Sequence, residues 1–186
     1  MKDLREFVNR TIRDVLNETY SINELKGILN RLGIDDFENL GTGQYGTAIL
    51  NKTNNKVYKF TKSDNEFNIA KEQYEFKTSS LPKIYDIGTI DGIDYYVRDT
   101  FKPISDDLGE KLGEELDDLE EFFYSNVKDV RKSQTNLGYN FDDNFLDFLN
   151  NLKRDLRKLG IKGFDVPGMP NNVYKNNNGD FILVDF

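Results

Sequence analysis

GTGQYGTAIL (residues 41–50) and, after a polar turn, VYKF (57–60) decide how this chain is read. Gly41, Gly43 and Gly46 form a G-x-G-x-x-G pattern, in which absent side chains let backbone N–H groups approach a phosphate and permit the positive φ of a tight turn. A dinucleotide-binding fold would open a helix at the third glycine, whereas Thr47, Ala48, Ile49 and Leu50 continue as a short strand pattern. No Gly-Lys-Ser/Thr follows the glycines, which excludes the Walker loop. Residues 51–56 read as a turn, and the alternation of Val57-Tyr58-Lys59-Phe60 puts Val57 and Lys59 on one face of a second strand, Tyr58 and Phe60 on the other. A glycine loop and a lysine on paired strands together predict a clamp for a triphosphate.

Composition narrows the chemistry. A chain of 186 residues, 37% hydrophobic, can bury one core or two small lobes sharing a cleft. With neither cysteine nor histidine, disulfides, thiol nucleophiles, zinc sites with the usual ligands and His-based triads are excluded. Acid–base chemistry must then rest on carboxylates or lysine. The start MKDLREFVNR is charged and no later segment approaches the length of a membrane span, so a soluble cytoplasmic protein without membrane contact is expected. The net charge of -8 argues against a nucleic-acid binder, which needs a concentrated basic face.

Outward from the glycines, periodicity predicts the remaining elements. Leu4, Val8, Ile12 and Leu16 predict a helix over 3–17, and Ser21 with Glu24 a capping box for a second helix through Leu25, Ile28 and Leu32, ended by Gly33. A strand leads into Gly41, and strands at 83–90 and 93–98 are joined by Asp91-Gly92, a type I′ hairpin signal. Between the strand of Lys59 and the strand at 83–90, 63–79 reads as a helix with Phe67, Ala70 and Tyr74 on one face. Beyond Phe101, one helix carries Leu108, Leu112, Leu116, Leu119 and Phe123, and a second runs from Phe145 to Leu159, ended by Gly160. Strands at 173–175 and 181–184 flank Asn178-Gly179. The expected organisation is a helical extension (1–33), a sheet-rich lobe (34–101) and a helical lobe (102–186).

This order of parts resembles the protein-kinase-like superfamily, including small-molecule kinases and short phage-type kinase-like proteins, over residues 34–186. The resemblance implies an α+β, bilobal fold with an antiparallel-sheet N-lobe and a reduced C-lobe, since no activation segment or A-P-E stretch follows Asp185-Phe186. It implies ATP and Mg²⁺ as ligands. Gly41, Gly43 and Gly46 correspond to the loop over the phosphates, with Leu40 and Ala48 closing the pocket above, and Lys59 to the phosphate-contacting lysine. Glu66 is the chosen anionic partner of Lys59, with Glu72 and Glu75 open as alternatives. Residues 96–101, with Asp99 and Phe101, resemble the adenine-binding hinge, and Tyr174 would face adenine from below. Asp165 stands where the family's catalytic aspartate would orient an acceptor hydroxyl, although the family's preceding His and Arg are absent. Asn172, or Asn171 as the alternative, and Asp185 correspond to the metal ligands. The expected partners are a nucleotide and a protein or small-molecule acceptor. Two other classes stay open: a nucleotide-sensing pseudokinase, and an interaction module built on the acidic helices and the N-terminal helix pair.

Overall fold

The computed structural model describes residues 20–43, 45–133, 135–161 and 166–184; the helix expected over 3–17 and two site candidates, Asp165 and Asp185, lie outside the described residues. The described chain is α+β and divides into two compact units. One holds the residues up to Glu75 together with Ile84–Thr100; the other holds Phe76–Lys83 and the chain from Phe101 onward.

In the first unit, helix α1 (Ile22–Arg31) begins with the capping box read from Ser21 and Glu24, each side chain accepting the other's backbone N–H. Five antiparallel strands follow: β1 (Phe37–Gly43), β2 (Gly46–Asn51), β3 (Lys56–Thr61), β4 (Ile84–Ile90) and β5 (Ile93–Asp99), in the spatial order β1-β2-β3-β5-β4. Asp91 and Gly92 both adopt positive φ (53° and 76°), the geometry of the predicted I′ turn. Strand alternation sends Ile49, Phe60, Tyr95 and Val97 to one face, where Leu25, Ile28 and Leu29 of α1 cover them. Lys59, Ala48 and Tyr96 lie across from one another on the opposite face. There helix α2 (Asp64–Phe76) packs through Ala70. The buried row of α2 is Phe67, Ala70 and Gln73, not the expected Phe67, Ala70 and Tyr74; Tyr74 is exposed. A row climbing in steps of three crosses the helix obliquely and leaves Tyr74 at its margin.

The second unit packs helices α3 (Asp106–Glu114), α4 (Leu116–Tyr124), α5 (Leu137–Asn140), α6 (Asp143–Lys158) and α7 (Met169–Asn172) with a small antiparallel sheet of β6 (Lys102–Pro103), β7 (Val173–Lys175) and β8 (Phe181–Leu183). Its core joins Phe145, Leu149, Leu152 and Leu156 of α6 to Leu112, Leu119, Phe122, Val173 and Leu183. The single helix expected over 108–123 is two helices, broken at Glu115 with φ -103° and ψ 19°. Gly109 and Gly113 weaken the helix ahead of the break, and the Glu115 carboxylate leaves it to accept the Asn140 amide. Among the described residues no helix is long and apolar enough to cross a membrane.

Candidate functional site

The first unit brings Lys59 and Glu66 together. β3 carries Lys59 to the α2 face of the sheet, and Ser63, accepting the Glu66 N–H at 3.2 Å, starts α2 so that Glu66 sits in its first turn. Lys59 Nζ lies 3.8 Å from Glu66 Oε1, with only 16% and 23% of the two side chains exposed. Closer donors hold the carboxylate: the Tyr96 hydroxyl donates to Oε1 at 2.7 Å, and Thr61 Oγ1 lies 2.7 Å from Oε2. Thr61 Oγ1 also accepts the Ser63 N–H at 3.1 Å and lies 3.0 Å from the Tyr45 carbonyl, tying the glycine hairpin to α2. The ion pair is therefore loose, while the anion itself is firmly oriented. Two charges about 4 Å apart attract by roughly 4 kcal/mol before desolvation in a half-buried setting, enough to hold Lys59 over this face. At 3.8 Å, however, none of its N–H groups is committed to that carboxylate as a hydrogen bond. Glu72 and Glu75 are exposed on α2.

The three glycines differ physically. Gly41 has φ +147° at a bulge between β1 and β2, and its N–H donates to Asn39 Oδ1 at 3.1 Å. Gly46 is forced by packing, because a Cβ there would stand 2.0 Å from the Phe60 carbonyl oxygen. Gly43 has open space around its missing Cβ, so nothing among the described residues requires a glycine there. Leu40 is exposed on β1, and Ala48 pairs directly with Lys59.

Asp99 ends β5 opposite Lys56. Its carboxylate accepts Lys56 Nζ and the Tyr85 hydroxyl, the latter at 2.8 Å. Burial pulls the Lys56 ammonium toward neutrality, but the hydrogen bonds and charge of Asp99 and Tyr85 hold its pKa above the ordinary lysine value. In the second unit, the Phe101 and Tyr174 rings stand 6.2 Å apart. Asn172 closes α7 and accepts the Val184 N–H on its carbonyl at 2.8 Å, which fixes the residue before Asp185 beside the residue read as its metal-binding partner. Asn171 is exposed. Among the described residues no three acidic side chains gather as a metal site.

Sequence reasoning did not find Thr61 and Tyr96 as the groups that orient Glu66. The alternation that turned Lys59 toward α2 also turns Thr61, and could have found it; Tyr96 needed the β3–β5 register. Asp155 and Lys153, both buried in α6, carried no periodic signal. No protein-family model matches the chain, and no curated protein matches it in sequence.

Proposed function

We propose that this chain is an ATP-dependent phosphotransferase of protein-kinase-like architecture, the sheet-rich unit being its N-lobe and the helical unit its reduced C-lobe. The observation that carries this reading is the half-buried Lys59: an oriented carboxylate holds it at ion-pair distance, its N–H groups are not spent on that carboxylate, and it lies on the sheet that carries the glycine hairpin. That is the donor arrangement an anionic phosphate chain fits, and the open space at Gly43 lets such a chain approach the backbone. Mg²⁺, when bound by Asn172 and Asp185, would neutralise charge on the β- and γ-phosphates. Lys59 binds the phosphates and Glu66 positions Lys59. Asp165 orients the acceptor hydroxyl and takes its proton, so the protein contributes mainly positioning and charge.

The test couples binding to transfer. ATP with Mg²⁺ at 100 times its Kd is expected to stabilise the chain by about 2.7 kcal/mol, and Lys59→Met to remove that gain. Asp165→Ala is expected to cut transfer of radiolabelled γ-phosphate by about 10²–10⁴-fold while leaving the ATP-induced stabilisation in place. Equal loss of both would refute the role given to Asp165. Stabilisation without transfer in the parent chain would replace the enzyme by a nucleotide-sensing module, the reading favoured by the missing His and Arg before Asp165.

A further inference from the structure

The second unit holds a cavity of about 570 Å³ lined by five cations, Lys128, Lys153, Arg154, Arg157 and Lys158, and two asparagine amides. No acid lines it, in a chain that carries 33 acidic and 25 basic residues. The steps 153/157 and 154/158 bring four of the cations to one side of α6, and Lys128 arrives from the segment after α4. Lys153, only 3% exposed, donates to the Phe122 carbonyl and to Ser125 Oγ at 3.2 Å, and Arg157 Nη2 donates to the Ser125 carbonyl at 2.9 Å. Both therefore cap the C-terminal end of α4, where cations are favoured. Capping accounts for two of the five, and its neutral oxygens leave both charges uncompensated. Asp155, next to Arg154, turns away to the N–H groups of Ser79 and Ser80, with Oδ1 3.6 Å from Arg154 Nε, and Asp129, next to Lys128, is engaged by the Asn150 amide at 3.1 Å and by Arg131 at 3.7 Å. Lys128 and Lys158 are exposed and make no ion pair among the described residues. Burial, and then the neighbouring Arg157, lower the Lys153 pKa to about 8, as expected of an ammonium held out of water with no carboxylate beside it.

We infer that this cavity is a binding site for a small organic phosphate carrying two or more negative charges. Its volume lies in the range of small-molecule sites, and the buried Lys153 together with the exposed Arg157, Lys128 and Lys158 suits an oxygen-rich anion. It shares no residue with the Lys59 cluster, so the inference does not rest on the proposed kinase activity.

The test is calorimetric titration of the full chain with inorganic pyrophosphate, without metal and near pH 7, in the Lys59→Met background so that the glycine hairpin does not contribute. Saturable binding is expected, weakened about tenfold by Lys128→Glu with Lys158→Glu, a change that leaves the α4 caps untouched. No saturation below about 10 mM, or affinity held within about twofold after the charge reversal, would overturn the site. If the reversed pair melts early, Lys128→Gln with Lys158→Gln enters the same titration, with about threefold weakening expected and unchanged affinity again overturning the site.

Discussion

At the scale of single residues, one letter serves three purposes in the glycine hairpin. Gly46 answers to its own fold, because any Cβ would collide with the Phe60 carbonyl 2.0 Å away. That oxygen belongs to the β3 backbone and can yield only if the β2–β3 pairing shifts. Gly46→Ala is therefore expected to cost about 3 kcal/mol in urea unfolding, at the severe end of overpacking. Gly43→Ala meets nothing within 4 Å and should stay within about 0.5 kcal/mol of the parent. If the proposed function holds, the same Gly43→Ala change should shrink the ATP-induced rise in Tm, because the added methyl stands where a phosphate would approach the backbone. Stability and ligand response thus separate at neighbouring glycines that the motif treats as equivalent. A Gly43→Ala chain as destabilised as Gly46→Ala would show that Gly43 also serves packing.

At the scale of elements, one carboxylate ties together stretches of the second unit that lie far apart in sequence. Asp155, 1% exposed in α6, accepts the backbone N–H groups of Ser79 and Ser80 at 2.9 and 3.1 Å and the Ser80 hydroxyl at 2.9 Å. This fastens the segment after α2 to the helical core. Asp155→Ala strands those donors and is expected to cost about 3 kcal/mol, with faster amide exchange at Ser79 and Ser80, whereas Asp155→Asn keeps an acceptor and should cost about half as much. Unchanged exchange at both serines would disprove the tie. Nothing along the chain announces it, since the partners lie some 75 residues apart and the Asp155 position reads as an ordinary polar step between Leu152 and Leu156. Legible features were those whose partners are local. The Ser21–Glu24 box, the Asp91-Gly92 turn and the stop of α6 at Gly160 each close within a few residues. Lys59 with Glu66 was legible as one option of three, because a helix face narrows the choice and only the β3–α2 packing decides it. The break at Glu115 was hidden because Leu112, Leu116 and Leu119 keep a helical period straight through it.

At the scale of the whole molecule, stability against pH should report where charge is buried. The chain's pI is about 4.7, so self-repulsion grows as pH rises above neutrality, and a single unfolding curve mixes that effect with local titrations. Lys153 can be isolated by difference. Unfolded, it releases its proton near the ordinary 10.5; folded, burial first and Arg157 second bring that down to about 8. Between these values the unfolded chain binds more protons, so raising the pH favours the folded state; below about 8 the cost of burying the ammonium is present in full. Tyr95, raised chiefly by burial and then by Asp86, and Tyr20, raised by burial and then by Asp94, act with the opposite sign, their contribution being lost as pH climbs above the ordinary 10.0. Phe122 and Ser125, which face Lys153 from α4, carry no titrating group, and the arginines beside it stay charged throughout. Parent minus Lys153→Met, measured by urea unfolding at half-unit steps from pH 7 to 10, is therefore expected to rise by about 2 kcal/mol, less than the full linkage value because the rim of the cavity is wet. Met cannot replace the hydrogen bonds to Phe122 and Ser125, so the two chains should also differ at pH 7, but that offset is constant and only the slope is diagnostic. Parallel curves would mean that the ammonium is hydrated in the folded chain, and that the basic cavity is open enough for water to do what the proposed phosphate would do.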